Sequence, residues 1–162
     1  MQARALDCLG AVMDPEVPVL SIVELGIVRE IAVDPASDGV TVTVTPTYSG
    51  CPAMHTIEAE IRSALLAAGF RSVTLKTVYA PAWTTDWIAP PAREKLREYG
   101  IAPPGTLAAE PLVSLGGPPG RIACPFCGSS NTSLQSEFGA TACKSLHVCR
   151  ACRQPFEHFK TF

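Results

Sequence analysis

The chain has 162 residues, of which 47% are hydrophobic and 17% charged, and its formal net charge is -2. This length suffices for one good core plus a small appended module, and the nearly neutral charge gives no reason to expect a polyanionic partner such as nucleic acid. No apolar run approaches the ~18 residues of a membrane span, and the N-terminus lacks the basic-then-apolar pattern of a secretion signal, so we expect a cytoplasmic protein.

The cysteine pattern indicates metal binding rather than disulfides. Seven cysteines is an odd number, and four of them form two Cys-x-x-Cys pairs. A disulfide framework would more naturally use an even set of cysteines in an exported chain. We therefore expect reduced thiols, some of which bind a metal.

The first 45 residues predict a helix, a turn-rich acidic segment and a β-hairpin. Apolar residues recur at helical spacing before Pro15, and Val and Thr alternate strictly from Val40 to Thr45, as in a half-buried strand. The predicted elements are a helix over 3–13, an acidic turn over 14–18, a helical turn over 21–26, a strand over 27–33, a hairpin loop over 34–39 and a strand over 40–45.

A strongly periodic helix follows the second strand after a short turn, Thr47–Ala53. Apolar residues spaced by three and four predict this helix over 52–68, and Gly69 ends it. The turn places Cys51 at or next to the helix N-terminus, where unpaired N–H groups and the helix dipole favour an anion. Such a position can lower a thiol pKa from roughly 8.5 to about 3.5–7.5, which gives a nucleophile or a metal ligand. The alternative is a small buried cysteine that only closes the turn.

The remaining elements of the first domain complete an α+β fold. A strand is predicted over 73–79, and a strand-helix-strand order normally gives a right-handed crossover between parallel strands. The expected domain, residues 1–100, therefore has a small mixed sheet with helices on one face, and a last helix over 92–99. Trp83 and Trp87 are interpreted as packing residues. Residues 101–120 are rich in Pro and Gly and poor in charge, which predicts an extended linker.

Residues 121–162 are predicted to form a separate module that is too short for a large core and needs a staple. Two pairs, Cys124 with Cys127 and Cys149 with Cys152, are separated by 21 residues, close to the spacing of a four-cysteine zinc ribbon. Zinc is favoured because such closed sites are commonly structural, while a single iron or an iron–sulfur cluster stays open as an alternative.

Other features of this module limit what it binds. Five Lys or Arg against two Glu give the module a charge of +3, and four thiolates with one divalent zinc contribute -2. The resulting charge of +1 is too small to indicate nucleic-acid binding. Cys143 and His147 lie between the two pairs and could be spare ligands. A satisfied or exposed side chain is the more common state for each of them.

Taken together, these motifs resemble the PaaD family (also called PaaJ), small proteins encoded with the subunits of the phenylacetyl-CoA epoxidase in bacterial phenylacetate degradation. The first domain alone would indicate only the wider family of iron–sulfur assembly proteins, which includes SufT and the cytosolic targeting factors. The appended ribbon is what points to PaaD. The resemblance covers essentially the whole chain and rests on Asp14-Pro15-Glu16, Glu24-Leu25-Gly26, Thr47-Tyr48-Ser49-Gly50-Cys51-Pro52, Pro81-Ala82-Trp83-Thr84-Thr85-Asp86-Trp87, Cys124-Pro125-Phe126-Cys127, Phe138-Gly139 and Ala142-Cys143-Lys144.

The resemblance implies a non-catalytic accessory protein that helps to mature or maintain the iron–sulfur or metal centres of the phenylacetyl-CoA oxygenase. The implied partners are the oxygenase subunits or their reductase, together with iron–sulfur assembly proteins. Cys51 matches the family's candidate reactive or cluster-binding thiol, so a transient iron–sulfur cluster is expected there beside the structural zinc of the ribbon. Asp14, Glu16, Thr47 and the 83–87 segment are implied as the surroundings of that thiol.

Two other functions compete with this interpretation. One is a thiol enzyme that uses Cys51 as nucleophile and His55, one helical turn further on, as its base. The other is a generic iron–sulfur targeting or scaffold protein that serves different clients. Cys51 could act alone or across a homodimer, and no nucleic acid or membrane partner is expected.

Overall fold

The computed structural model describes residues 1–105 and 122–162, and the chain divides into two compact units, Met1–Ala89 and Pro90–Phe162. This division differs from the predicted one after residue 100. The last predicted helix, α3 (Pro90–Tyr99), groups with the ribbon because only Gly100 separates it from β4 (Ile101–Ala102), which joins the ribbon sheet. The predicted linker therefore begins with a strand, and from residue 106 onward it lies outside the described residues.

The first unit is a three-stranded mixed sheet with two long helices. In chain order it contains α1 (Gln2–Gly10), β1 (Val28–Asp34), β2 (Gly39–Val44), α2 (Ala53–Ala67), β3 (Ser72–Thr77) and a 3₁₀ turn (Thr85–Trp87). The strand order is β1-β2-β3, with β1 antiparallel and β3 parallel to the central strand β2. The predicted hairpin, the parallel crossover and the α+β class are thereby confirmed.

The core of this unit is formed by the apolar faces of its central strand and its helices. Val40, Val42 and Val44 alternate on one face of β2 and are buried, because successive strand side chains point to opposite faces. The α2 side chains at helical spacing, Ile57 and Ile61 among them, are also fully buried. The first helix ends at Gly10, earlier than predicted. Of its predicted apolar positions Leu6 is exposed, as is Met13 beyond the helix end.

The Trp83–Trp87 segment packs against the turn that ends at Gly26. The Trp83 indole Nε1 donates to the Leu25 carbonyl at 2.9 Å, and the Arg29 guanidinium lies 3.5 Å from the centre of a Trp87 ring. Gly26 has a positive φ of 71°, and a Cβ atom there would lie 2.8 Å from the Cβ of Trp87. This confirms packing by both tryptophans and explains the glycine, because any side chain would displace Trp87.

The second unit contains a four-stranded sheet, and one of its edge strands is formed by the first residues of the predicted linker. Its elements are α3, β4, β5 (Thr132–Ser136), β6 (Lys144–Cys149) and β7 (Pro155–Phe159), and the strand order is β4-β7-β6-β5. Strand β4 pairs in parallel with β7, while β5, β6 and β7 form an antiparallel ribbon. Among the helices of the described residues, none has the length and apolar character needed to cross a membrane.

Candidate functional site

The four paired cysteines lie on two tight turns of the second unit. Cys124 and Cys127 flank a turn before β5, in which the Gly128 N–H donates to the Cys124 carbonyl at 2.9 Å. Cys149 ends β6, and the Arg153 N–H donates back to its carbonyl at 2.9 Å. Each turn is short enough for both sulfurs of its pair to face the same point, which is why the Cys-x-x-Cys spacing suits one metal ion.

The four sulfur atoms form a compact group. All lie within 4.8 Å of one another; Cys124 Sγ is 3.7 Å from Cys152 Sγ, and Cys127 Sγ is 3.6 Å from Cys149 Sγ. In a tetrahedral zinc site with Zn–S bonds of about 2.3 Å, neighbouring sulfurs are about 3.8 Å apart. All four cysteines are free thiols in the structure. Their arrangement therefore fits one tetrahedral metal ion, and no further ligand is needed.

An apolar shell closes the thiol group from one side. Cys124 and Cys149 are buried in a cluster with Ala102 and Phe156, and Ile122 packs against it. Since Ala102 belongs to β4, the short edge strand is part of the metal-binding module. Cys152 is half-buried and Cys127 exposed, but a centre with four thiol ligands still suits a structural role, because catalytic zinc sites keep an open position.

The four thiols can all ionise only if a cation balances their negative charge. The pKa of Cys149 is lowered to about 7, mainly because its sulfur accepts the Cys152 N–H. The pKa of Cys152 is raised to about 12: the Gln154 N–H lowers it, but burial and the neighbouring thiols outweigh that effect. The neighbouring thiols thus lower the pKa of Cys149 and raise that of Cys152. A divalent ion would let all four ionise together, which couples metal binding to proton release.

The two spare-ligand candidates lie outside the four-thiol group. Cys143 is buried with its sulfur 3.1 Å from the Thr141 hydroxyl. His147 is buried with Nε2 3.0 Å from the Ser145 hydroxyl, and its ring stacks on Phe156. Both side chains are thus engaged in the fold, in agreement with the interpretation that they are not ligands.

In the first unit, Cys51 lies directly before the N-cap residue of α2. The helix begins at Ala53 with Pro52 as its N-cap, and Gly50 has a positive φ of 85°, as expected for the turn. The thiol is half-buried; it interacts with the backbone N–H of Ala53 and the side chain of Tyr48. Sequence reasoning assigned no role to Tyr48, although it lies inside the Thr47–Ala53 turn.

The expected acidic thiol is not what the structure shows. Burial raises the pKa of Cys51, and the negative charges of Glu16 and Asp14 raise it further; the Ala53 N–H and Tyr48 act in the opposite direction without offsetting them. The expectation from the helix dipole was therefore wrong, because it left out desolvation and two nearby carboxylates. In the free protein Cys51 is a protonated thiol at neutral pH.

The structure brings Asp14 and Glu16 into electrostatic range of Cys51. The Asp14 carboxylate is buried, and its Oδ1 accepts the N–H groups of Glu16 and Val17, each at 2.8 Å, which fixes the acidic turn. Thr47 is half-buried in the turn before Cys51. Two carboxylates beside a soft sulfur favour a cation, since positive charge there relieves their mutual repulsion and lowers the thiol pKa.

The arrangement does not resemble a cysteine–histidine pair. His55 is exposed on α2, and the groups that shift the Cys51 pKa do not include a histidine. A nucleophilic cysteine needs either a lowered pKa or an adjacent base that takes its proton. The contacts of Trp83 and Trp87 described above are with the 25–29 segment, where they support the fold of the first unit.

Two protein families match separate parts of the chain. The family described as iron–sulfur cluster assembly protein matches residues 2–75, and the PaaD zinc beta ribbon domain matches residues 108–160. Two solved structures resemble the first part: a domain of unknown function from Bacillus anthracis (26% identity, TM-score 0.55, 59% of this chain and 90% of that chain) and a conserved hypothetical protein from Thermotoga maritima (30%, 0.52, 59% and 93%).

Relatives from other bacteria match different shares of the chain. Two of them are called Fe-S protein maturation auxiliary factors, and each is 34% identical to this chain. The one from Porphyromonas gingivalis matches over 57% of this chain and 85% of its own length. The one from Bacillus subtilis matches over 53% of this chain and 83% of its own length. An Escherichia coli K12 protein, provisionally named as one of the subunits of 1,2-phenylacetyl-CoA epoxidase, is 46% identical over 94% of this chain and 88% of its own length. Because this similarity spans both units and the ribbon matches as well, the chain belongs to the PaaD family.

Proposed function

We propose that this chain is a non-catalytic accessory protein of a multicomponent phenylacetyl-CoA oxygenase, in which it assists the assembly of an iron–sulfur or other metal centre. The observation that carries the proposal is the joining, in one chain, of an iron–sulfur assembly domain to a PaaD zinc ribbon, with 46% identity to the Escherichia coli protein across both. The two Fe-S protein maturation auxiliary factors match a smaller share of the chain, 57% and 53%.

In this proposal the two thiol sites have different tasks. Cys124, Cys127, Cys149 and Cys152 would hold one structural zinc ion, which fixes the ribbon. Cys51 would be a transient ligand for iron or an iron–sulfur cluster in transit, which is cargo rather than a resident cofactor. Its half-buried, single thiol beside Asp14 and Glu16 supports such a role, because a lone ligand can release what it binds.

Binding at Cys51 would begin with the approach of a cation to the acidic turn. The carboxylates of Asp14 and Glu16 attract positive charge, and the cation then lowers the pKa of the thiol so that its proton leaves to water. The N–H of Ala53 and the Tyr48 side chain, which already interact with the sulfur, would stabilise the thiolate. Seven free cysteines suit a reducing compartment, which supports a cytoplasmic location.

The direct test is to purify the phenylacetyl-CoA oxygenase from cells that produce wild-type chain, the Cys51→Ser variant or no chain. We expect iron, acid-labile sulfide and oxygenase activity to fall together without the chain and with Cys51→Ser. Cys8→Ser, which changes a half-buried thiol of α1, is the matched control and should behave as wild type. An oxygenase with full metal content and activity in the absence of the chain would reject the proposal.

A further inference from the structure

The loop between β5 and β6, residues 137–143, presents a large aromatic side chain to solvent. Phe138 is 65% exposed, the highest value among the exposed large hydrophobic side chains of the described residues. Exposed apolar surface of this size is unfavourable in water. The loop that carries Phe138 is nevertheless tightly held, so its exposure is not a consequence of a loose chain end.

An ion pair between a buried lysine and a half-buried glutamate holds this loop in place. Lys144 Nζ lies 2.8 Å from Glu157 Oε2, and the lysine side chain is almost fully buried. The other oxygen, Glu157 Oε1, accepts the N–H of Ala140 at 2.8 Å, and the Gly139 N–H donates to the Lys144 carbonyl at 2.7 Å. A Cβ atom at Gly139 would lie 2.6 Å from Glu157 Oε1, so a side chain at this position would displace the carboxylate from its present contacts.

A second lysine fixes the aromatic ring itself. Lys160 Nζ lies 4.2 Å from the centre of the Phe138 ring and donates to the Ala142 carbonyl at 2.9 Å. The Phe138 N–H donates to the Ser136 hydroxyl at 3.2 Å. The loop therefore displays an oriented aromatic ring with a positive charge on one of its faces, a geometry in which cation–π attraction operates.

This construction is not explained by the metal centre or by stability alone. Burying an ion pair costs desolvation energy that is often not recovered, so such a pair is better understood as specifying one conformation. Phe138 is also absent from the apolar cluster around the thiols, which consists of Ala102, Cys124, Cys149 and Phe156 with Ile122 and Cys152. A rigid, exposed aromatic side chain beside a cation is the composition of a binding hot spot.

We infer that Phe138 and Lys160 form the docking surface for the oxygenase, with Phe138 entering an apolar pocket whose border carries carboxylates. The inference rests on the proposed function, from which the partner is taken. The acidic border follows from charge complementarity, because the ammonium of Lys160 lies on the ring that enters the pocket. Glu137 is exposed directly before Phe138 and would face the same border, so its charge would oppose binding.

The test measures binding of the full-length chain to purified phenylacetyl-CoA oxygenase that was produced without it, by biolayer interferometry. We expect Phe138→Ala to raise Kd at least tenfold, Lys160→Gln to raise Kd less and to reduce its salt dependence, and Glu137→Gln to lower Kd. Tyr99→Ala is the matched control, because Tyr99 is an exposed aromatic residue of the same unit, and it should bind as wild type. Zinc content and circular dichroism of each variant establish that the ribbon is folded.

The possible results separate this inference from the proposed function. If wild-type chain does not bind the oxygenase at all, both are rejected. If wild type binds and Phe138→Ala binds equally well, only the docking surface is rejected. Loss of self-association by Phe138→Ala, with oxygenase binding unchanged, would assign the surface to a second copy of this chain and would also overturn the inference. A Glu137→Gln variant that binds more weakly would overturn the acidic border.

Discussion

The two units of the chain are built on different kinds of core. The first unit buries a continuous set of aliphatic side chains from the sheet, α1 and α2, whereas three of the nine buried hydrophobic residues described in the second unit are cysteines. Among the described residues each unit buries four polar side chains, and those of the second unit all lie on β6 and β7: Lys144, Ser145, His147 and His158. We therefore expect the first unit to be stabilised mainly by its aliphatic core, and the second to depend on its metal and on the protonation state of its interior.

The same contrast holds for the thiols. In the ribbon four thiols complete a coordination shell and leave nothing for a partner, while Cys51 has one sulfur, two carboxylates in electrostatic range and half-open access. The first arrangement suits permanent binding and the second suits transfer. The contrast supports the proposal that metal transfer to a partner takes place at Cys51 in the first unit.

Removal of the metal should have the largest effect on this difference between the units. Replacement of Cys149 by Ser should unfold the second unit and leave the first unit intact, because a structural zinc contributes on the order of 10 kcal/mol to the folding of such a module. Zinc analysis combined with hydrogen exchange of both units provides the measurement. Cys143→Ser is the control: this cysteine is also buried in the second unit but lies outside the four-thiol group, so zinc should be retained. Full zinc occupancy in Cys149→Ser would contradict the ligand set.

The reverse experiment perturbs the aliphatic core. Ile61 is fully buried on α2, and Ile61→Ala should destabilise the first unit by about 3 kcal/mol through lost transfer energy and a residual cavity. Urea denaturation followed by hydrogen exchange resolves the two units. We expect the loss to be the same with and without a zinc chelator. A loss that depended on chelator would mean that the first unit is not independently stable.

An acid titration tests the polar interior of the ribbon. Burial, together with the charges of His147 and Lys160, lowers the pKa of His158 to about 4. The folded state therefore holds fewer protons than the unfolded state, in which the pKa is near 6.5, so stability contributed above pH 6.5 is lost as the pH falls to about 4. The loss attributable to His158 is about 3 kcal/mol.

The measurement compares wild type with His158→Gln across this pH range. The difference in unfolding free energy of the second unit should change by that amount, even though protonation of the thiols destabilises both proteins. His55→Gln, which changes an exposed residue of α2 in the other unit, is the control. Parallel curves for wild type and His158→Gln would show that His158 does not titrate in this range.

The sequence predicted much of this arrangement, for physical reasons that also explain its failures. The alternating Val and Thr of β2 and the periodic apolar face of α2 are local patterns, and the two Cys-x-x-Cys pairs are a local signal of a shared ion. The pairing of Ile101–Ala102 with β7 was missed, because a two-residue strand has no periodicity and its partner lies more than fifty residues away. The contact between Lys144 and Glu157 was missed for a similar reason: both are charged residues, which usually lie on the surface.

Cys51 shows most clearly what a local sequence pattern omits. The change expected in its reactivity is the smallest of the predicted effects. The position at a helix N-terminus was correct, yet the nearby carboxylates belong to residues 14 and 16, more than thirty positions earlier in the chain. Because burial and these charges raise the pKa of the thiol, iodoacetamide should label Cys51 more slowly than Cys8 at pH 7.5 in the folded protein. In urea both thiols should react alike, which provides an internal reference.

Glu16→Gln removes one of the two charges without shortening the side chain. The variant should speed labelling of Cys51 several-fold, leave Cys8 unchanged and weaken binding of ferrous iron by the first unit under anaerobic conditions. Simple steric shielding of the thiol would instead leave its rate unchanged, since Glu and Gln have nearly the same shape. The opposite directions of the two effects are diagnostic, because the same carboxylate that suppresses the free thiol should attract the cation that activates it. Faster labelling with undiminished iron binding would reduce Glu16 to a modulator of the free thiol and leave Asp14 as the remaining acidic partner of Cys51.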